Sequence, residues 1–246
     1  MFLFHMVSPQ MLSVQPSYPR VALRAVPRQW PGTRRGKRGG RVWGLKLGVA
    51  CVKIIDMAKG ETMKVGKGSF LIASPHLRDP NFRQTVVLIC EHGPGGSLGL
   101  VVNRRTDQHI VDVLPQATGL HEKVGLVYSG GPVQKDNLLI LHRVSEEVPE
   151  SQPIFDGVCL GGDLVALETV SSLGCSDDLI RVYMGYSGWA AGQLQFELST
   201  GSWIVLPADL KVVFARNPQQ VWPTILRSLG GALALFATMP PDPSLN

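Results

Sequence analysis

Residues 83–104 read RQTVVLICEHGPGGSLGLVVNR, and the join between the two apolar runs in that stretch decides the fold. The first run, Thr85–Cys90, is rich in β-branched residues and reads as a strand. The second, Leu98–Val102, reads as another. Between them stand Gly93–Ser97, GPGGS, five residues of turn chemistry. A parallel pair of strands needs a crossover long enough to hold a helix, whereas five turn residues close a β-hairpin. The first pairing in the chain is therefore antiparallel.

The pattern extends in both directions. Upstream, SFLIAS (Ser69–Ser74) is a short apolar strand. Downstream, HIVDVLPQ predicts a short helical turn stopped near Pro115. VGLVYSGGPV and NLLILHRV read as strands around a Gly-rich turn. FDGVCLGGD is another apolar run ending in Gly-Gly, with Asp163 placed to cap a helix through LVALETVSSL. DLIRVYMGY is a strand. SGWAAGQLQFELS reads as a helix, with Ala190, Leu194 and Leu198 on one stripe. SWIVLPADL starts as a strand. NPQQVWPTILRSLG predicts a helix with Asn217 as N-cap, Pro218 at its first position, and Val221, Trp222, Ile225, Leu226 and Leu229 as its apolar face. Irregular alternation with hairpin-like joins predicts an α+β single domain over residues 63–240, built on a mixed, mostly antiparallel sheet with flanking helices. Residues 241–246 are expected to be a disordered tail.

Charge is divided unevenly. Residues 1–56 hold ten Lys and Arg and a single acid, Asp56; the remainder holds fourteen basic and eighteen acidic residues. The net charge of +5 therefore belongs to the N-terminal segment, which removes a basic surface as an argument for nucleic acid in the globular part. Residues 1–62 form a basic stretch rich in Arg, Pro and Gly, which cannot bury enough apolar surface to offset the entropy of ordering. Three readings compete for it. One is an organellar presequence, Arg-rich and poor in acids. Another is a nucleic-acid arm, for which residues 20–46 are the only basis in this chain. The third is a translation start set too far upstream, because Met57 and Met63 stand just before the first strand.

Hydrophobic residues make up 44% of the chain, enough for a sizeable core. No apolar run is long enough to cross a membrane as a helix, so no membrane partner is expected. The four cysteines, Cys51, Cys90, Cys159 and Cys175, lie far apart with no zinc spacing, which reads as buried reduced thiols in a cytoplasmic protein. No cofactor or metal is expected.

Two candidates for nucleophilic chemistry remain. Ser187 follows an apolar run in MGYSGW, the layout of a nucleophile elbow. Trp189 replaces the elbow's second glycine, and no histidine follows it in the chain. Ser187 is expected to cap the following helix instead, with Trp189 anchoring that helix on the sheet. Cys90 and His92, two residues apart, fall on one side of a strand, where a thiolate pair is possible in principle. No third, orienting group is identifiable.

The resemblance then enters. FLIASPHLRDPNFRQTVVLICEHGPGGSLGLVVNR, SGGPVQKDNLLILH and YMGYSGWAAGQLQFELSTGSWIVLPADLKVVF are similar, in order, to the three blocks of the YqgE/AlgH family, over about Gly68–Leu229. The family implies a bent sheet rolled into a pseudo-barrel. One branch is described as a regulator of alginate transcription, most members are uncharacterised bacterial proteins, and the family supplies no catalytic residues.

The expected function is thus a non-enzymatic regulator acting through an unknown protein or small ligand, with a Cys- or Ser-dependent hydrolase as the alternative. Candidate ligand or partner residues sit in the polar loops: His76 and Arg78 in SPHLRDPNFR, Asn103 at the end of the hairpin, Gly130 and Gly131 in SGGP, His142 at a strand end, Gly161, Gly162 and Asp163 at a helix start, and Tyr186 in MGYSGW. No helix presents the basic and amide side chains that read a DNA groove.

Overall fold

The computed structural model describes residues 63–121, 124–143, 148–172, 179–238 and 240. The basic stretch at 1–62, its three readings, Cys51 and Cys175, and the tail at 241–246 lie outside the described residues. The chain runs through β1 (Ser69–Ala73), β2 (Val86–Gly93), β3 (Gly96–Val101), β4 (Arg105–His109), α1 (Ile110–Val113), α2 (Thr118–His121), β5 (Leu126–Ser129), β6 (Val133–His142), β7 (Ser151–Phe155) and β8 (Val158–Gly161). It continues with α3 (Leu164–Ser172), β9 (Ile180–Ala190), α4 (Gln193–Ser199), β10 (Trp203–Pro207), α5 (Leu210–Val213), a 3-10 turn (Pro218–Gln220), α6 (Val221–Leu229) and α7 (Gly231–Phe236).

The hairpin of the opening stretch forms, and it is tighter than five residues: Gly93 pairs with Gly96, leaving Pro94 and Gly95 as the turn. The strands then order as β10-β1-β2-β3-β9-β6-β8-β7, with β4 on β5 and β5 on β9. Every pairing is antiparallel except β5 with β9. The sheet curls strongly into a half-barrel flanked by helices, in one domain.

β9 is the axis of that curl. Its last residues, Ser187–Ala190, pair with β3, while Tyr183 and Met184 run parallel to β5 and β6 covers its other edge. At the change of partner stands Gly185, with φ +67, a backbone state open to glycine and costly elsewhere. The kink lets one strand serve both halves of the sheet.

On one face the short helices shelter Ile110, Leu120, Val127, Leu164, Leu167, Ile180 and Val182 in a common cluster. At the other end of the sheet α6 buries Val221, Trp222, Ile225 and Leu226, each contributing about 2 kcal/mol by area. The Trp222 indole donates to the Ala73 carbonyl at 2.8 Å, so the buried N–H is satisfied where the helix meets β1.

Several local expectations are corrected. The strand through MGYSGW does not end at Tyr186 but continues to Ala190, and the helix starts only at Gln193 with Gly192 at its N-cap. Ser187 is therefore no helix cap, and Ala190 lies outside the helical stripe. Antiparallel pairing with β3 holds these residues extended, and a ladder of backbone bonds outweighs a seven-residue helix's weak propensity. Asn217 makes no side-chain cap; a 3-10 turn from Pro218 leads into α6 instead. Asp163 caps as expected, its Oδ1 accepting from Ala166 N at 2.8 Å. Strands β4 and β7, polar in sequence, were not legible as strands.

Candidate functional site

The loops that carried the sequence candidates assemble into three places. At the first, chain segments cross at backbone contact. Val101 N donates to Gly130 O at 2.9 Å and Gly130 N to Met184 O at 2.8 Å. A Cβ on Gly130 would stand 2.2 Å from the Gly185 oxygen, and one on Gly131 2.3 Å from the Tyr186 carbonyl. Real Cβ atoms do not approach backbone so closely, so the SGGP glycines are what allows β3, β5 and β9 to meet. Tyr186 is half-buried beside them, and burial pushes its phenol above the ordinary tyrosine pKa.

Ser187 belongs to this crossing. It has no exposed surface, and its hydroxyl donates to Gly130 O at 3.1 Å. Cys90 is equally sealed. The ladder shifts register between Ile89 and Glu91, which leaves Cys90 as the extra residue of a bulge. That bulge breaks the alternation by which Cys90 and His92 were expected to share a side. The Cys90 thiol donates to Leu88 O at 3.6 Å, and burial pushes its pKa far above the ordinary thiol range. His92 bonds Ser97 across the hairpin at 2.7 Å. Cys159 is also free and buried.

The second place gathers His142, Gly161, Gly162 and Asp163 around Ser151, a residue that sequence reasoning did not single out. His142 Nε2 and Ser151 Oγ stand 2.8 Å apart. A Cβ on Gly162 would come within 2.9 Å of that hydroxyl. A Ser–His contact is half of a nucleophilic unit. Yet the imidazole has no exposed surface, and a general base has to reach the leaving group.

The third place is open. A cleft of about 150 Å³ is lined by Asn81, Val101, Arg104, Ser129, Gly131, Pro132 and Lys135. Here the 79–83 loop, the end of the β2–β3 hairpin and the SGGP turn converge. Asn103, the chain neighbour of Arg104, is 6% exposed, accepts from Val86 N at 2.8 Å and donates to Gln84 O at 2.9 Å, outside the cleft's lining. Arg104 shapes its wall, with Nη1 donating to Asn81 O at 2.7 Å and Nη2 to Pro80 O at 2.9 Å and Arg83 O at 3.2 Å. Burial, together with Arg83, lowers the Arg104 pKa, and Asp79 opposes the shift.

Of the sequence candidates, Gly131 lines the cleft, and Asn103 is buried in bonds to Val86 and Gln84. His76 and Arg78 are exposed, and the His76 ring meets Phe236 of α7 edge-on at 5.3 Å. Asn81, Arg104, Ser129 and Lys135 were not singled out by sequence. Asn81, Arg104 and the 129–135 segment stand far apart along the chain, so only the fold collects them. Among the described residues no group of three potential metal ligands occurs, and no helix is long and apolar enough to cross a membrane.

These features can be set against known proteins. The family model described as AlgH-like matches residues 70–234. The chain belongs to the AlgH-like family. The match runs from the second residue of β1 into α7 and so takes in the kinked β9 and the cleft. A UPF0301 protein of Cytophaga hutchinsonii is 37% identical over 182 residues, covering 73% of this chain and 98% of that protein. One from Chlamydia caviae is 37% identical over 190 residues, 77% of this chain and all of the relative. The solution structure of the Pseudomonas aeruginosa AlgH protein superposes with a TM-score of 0.56 at 31% identity, covering 72% of this chain and 98% of its own. A crystal structure of a Corynebacterium diphtheriae protein shares the fold, with a TM-score of 0.63 at 24% identity, covering 73% of this chain and 95% of its own.

Proposed function

We propose that this AlgH-like chain works by binding rather than by catalysis, as a cytoplasmic regulator or adaptor whose working surface is the cleft between Asn81 and Lys135. One contrast carries the reading. The nucleophiles that sequence offered, Ser187 and Cys90, are sealed, with no exposed surface, while the open polar cleft is walled by hydrogen-bonding groups without a histidine or cysteine among its lining residues. A preformed concave site with a few convergent polar groups is the usual form of a small-ligand site. A transcription-related role comes from the family resemblance. It would act through a partner or ligand: α4 carries no basic residue, and its Gln193 is engaged locally, accepting from Ala190 N and donating to Glu197. Nucleic-acid contact through residues 20–46 lies outside the described residues.

The alternative, a Ser- or Cys-dependent hydrolase, is tested on the full native chain with a fluorophosphonate and with iodoacetamide, followed by peptide mass spectrometry. No stoichiometric labelling of Cys90, Ser129, Ser151 or Ser187 is expected. Stoichiometric labelling at any of them, lost on substitution by alanine, overturns the binding reading.

A further inference from the structure

We propose that the cleft is an anion site, and that its ligand is the phosphoryl group of a small molecule, held between Arg104 and Lys135. This rests on the reading of the cleft as the binding surface and names the chemistry it takes.

Charge is the first argument. The lining holds two cations, Arg104 and Lys135, and no acid. Arg104 gives its three hydrogen bonds to backbone carbonyls, which are neutral, so the guanidinium is fixed in place and none of those bonds is spent on a carboxylate. Two of the five guanidinium N–H donors remain for a ligand. Asp79 acts on Arg104 through its field, and burial with Arg83 outweighs it.

Preorganisation is the second. A free arginine loses side-chain entropy when it clamps an anion, about 0.5–1.5 kcal/mol for each immobilised side chain. Here the 80–83 carbonyls have already ordered it. Lys135, exposed at the rim, supplies the mobile point charge that arginine does not. Asn81 and Ser129 add an amide and a hydroxyl to the wall, matching an oxyanion that needs several donors.

Size is the third. The cleft's 150 Å³ is small beside the roughly 300–1,000 Å³ of cofactor-sized sites, and one phosphoryl group with a short organic stub fits it. Two positive charges, one fixed and one mobile, suit a dianion better than a monovalent carboxylate.

The test is an amide-resolved NMR titration of the full chain at constant ionic strength with inorganic phosphate, phenyl phosphate and acetate. Saturable shifts clustered at Asn81, Ser129 and Gly131 are expected with both phosphates and not with acetate. Tighter binding of phenyl phosphate assigns the site to an organic phosphate, and equal binding to free phosphate. Arg104→Gln is expected to abolish the shifts, but it also releases the 80–83 loop. Lys135→Gln leaves the wall intact and is expected to weaken binding about tenfold, the worth of one charge-assisted hydrogen bond. Absence of saturable shifts with either phosphate, acetate binding as tightly as phosphate, or unchanged affinity in Lys135→Gln overturns the inference. The probe labelling described above reads independently: an unlabelled chain that ignores phosphate still binds some other ligand, and a labelled one fails as a pure binding protein even where phosphate binds.

Discussion

Ser187 and Gly130 touch through a single hydrogen bond, and substituting each by alanine carries a very different cost. Ser187→Ala removes one buried donor and leaves Gly130 O with the Val101 N–H it already accepts. A net cost of about 1 kcal/mol is expected. Gly130→Ala instead drives a Cβ to 2.2 Å from the Gly185 oxygen and 2.9 Å from the Leu100 side chain. The strands have to separate, and a loss of more than about 3 kcal/mol is expected, the range of disrupted cores. Urea unfolding of both variants measures the difference; equal destabilisation would refute the crossing as the origin of the SGGP sequence. The serine that drew attention in the sequence is thus a minor stabiliser, and the glycine beside it is the residue the fold depends on.

At the scale of the element, α4 is a seven-residue helix too short to hold itself together in water. Glu197 supplies what propensity does not: its Oε2 accepts from the Trp189 indole at 2.9 Å and from the Trp203 indole at 2.8 Å. One carboxylate thereby ties α4 to β9 and β10, and Phe82 stacks on Trp189 at 6.0 Å. Glu197→Ala strands two indole N–H groups and is expected to cost about 2 kcal/mol. Hydrogen exchange should show faster opening confined to Gln193–Ser199; unchanged exchange there would remove Glu197 from this role. The expectation that Trp189 anchors the helix survives, although Trp189 sits on the strand. Such cases show what the sequence carried. Apolar runs and Gly-rich turns made β1, β2, β3, β5, β6 and β10 legible, because burial on a sheet face writes itself into residue type. Polar β4 and β7 left no such mark, although Asp156-Gly157 between β7 and β8 is a two-residue hairpin signal that went unread. The cleft was illegible for another reason. Arg104 meets the Asn81 carbonyl 23 residues away, and no local rule encodes that distance.

Across the whole molecule, the half-barrel interior holds acids uncharged, Cys90 and Tyr183 most strongly. Cys90 and Tyr183 are both without exposed surface, and burial pushes both upward from ordinary values of 9.0 and 10.0. The Arg181 guanidinium works against the shift at Tyr183, and burial outweighs it. Arg181 is itself 4% exposed, donating to Val213 O at 2.7 Å and to Ala215 O and lying 4.5 Å from the Tyr128 ring. Both acids keep their protons longer in the folded chain than in the unfolded one. The stability they contribute is complete below the unfolded values and is lost as pH rises past them toward the raised folded values. Each group then costs up to about 1.4 kcal/mol per pH unit, so the slope begins near pH 9 with Cys90 and steepens above 10 when Tyr183 joins, and the smaller upward shifts of Cys159 and Tyr186 add to the two steps. Tyr183→Phe separates the two. The Tyr183 hydroxyl lacks a hydrogen-bond partner among the described residues, so its removal is expected to leave stability at about pH 7 within about 1 kcal/mol of the parent. Above pH 10 the variant should lose stability less steeply than the parent. Chemical denaturation across about pH 7–11 reads both curves, and parallel curves above pH 10 would show that Tyr183 titrates alike in the folded and unfolded chains.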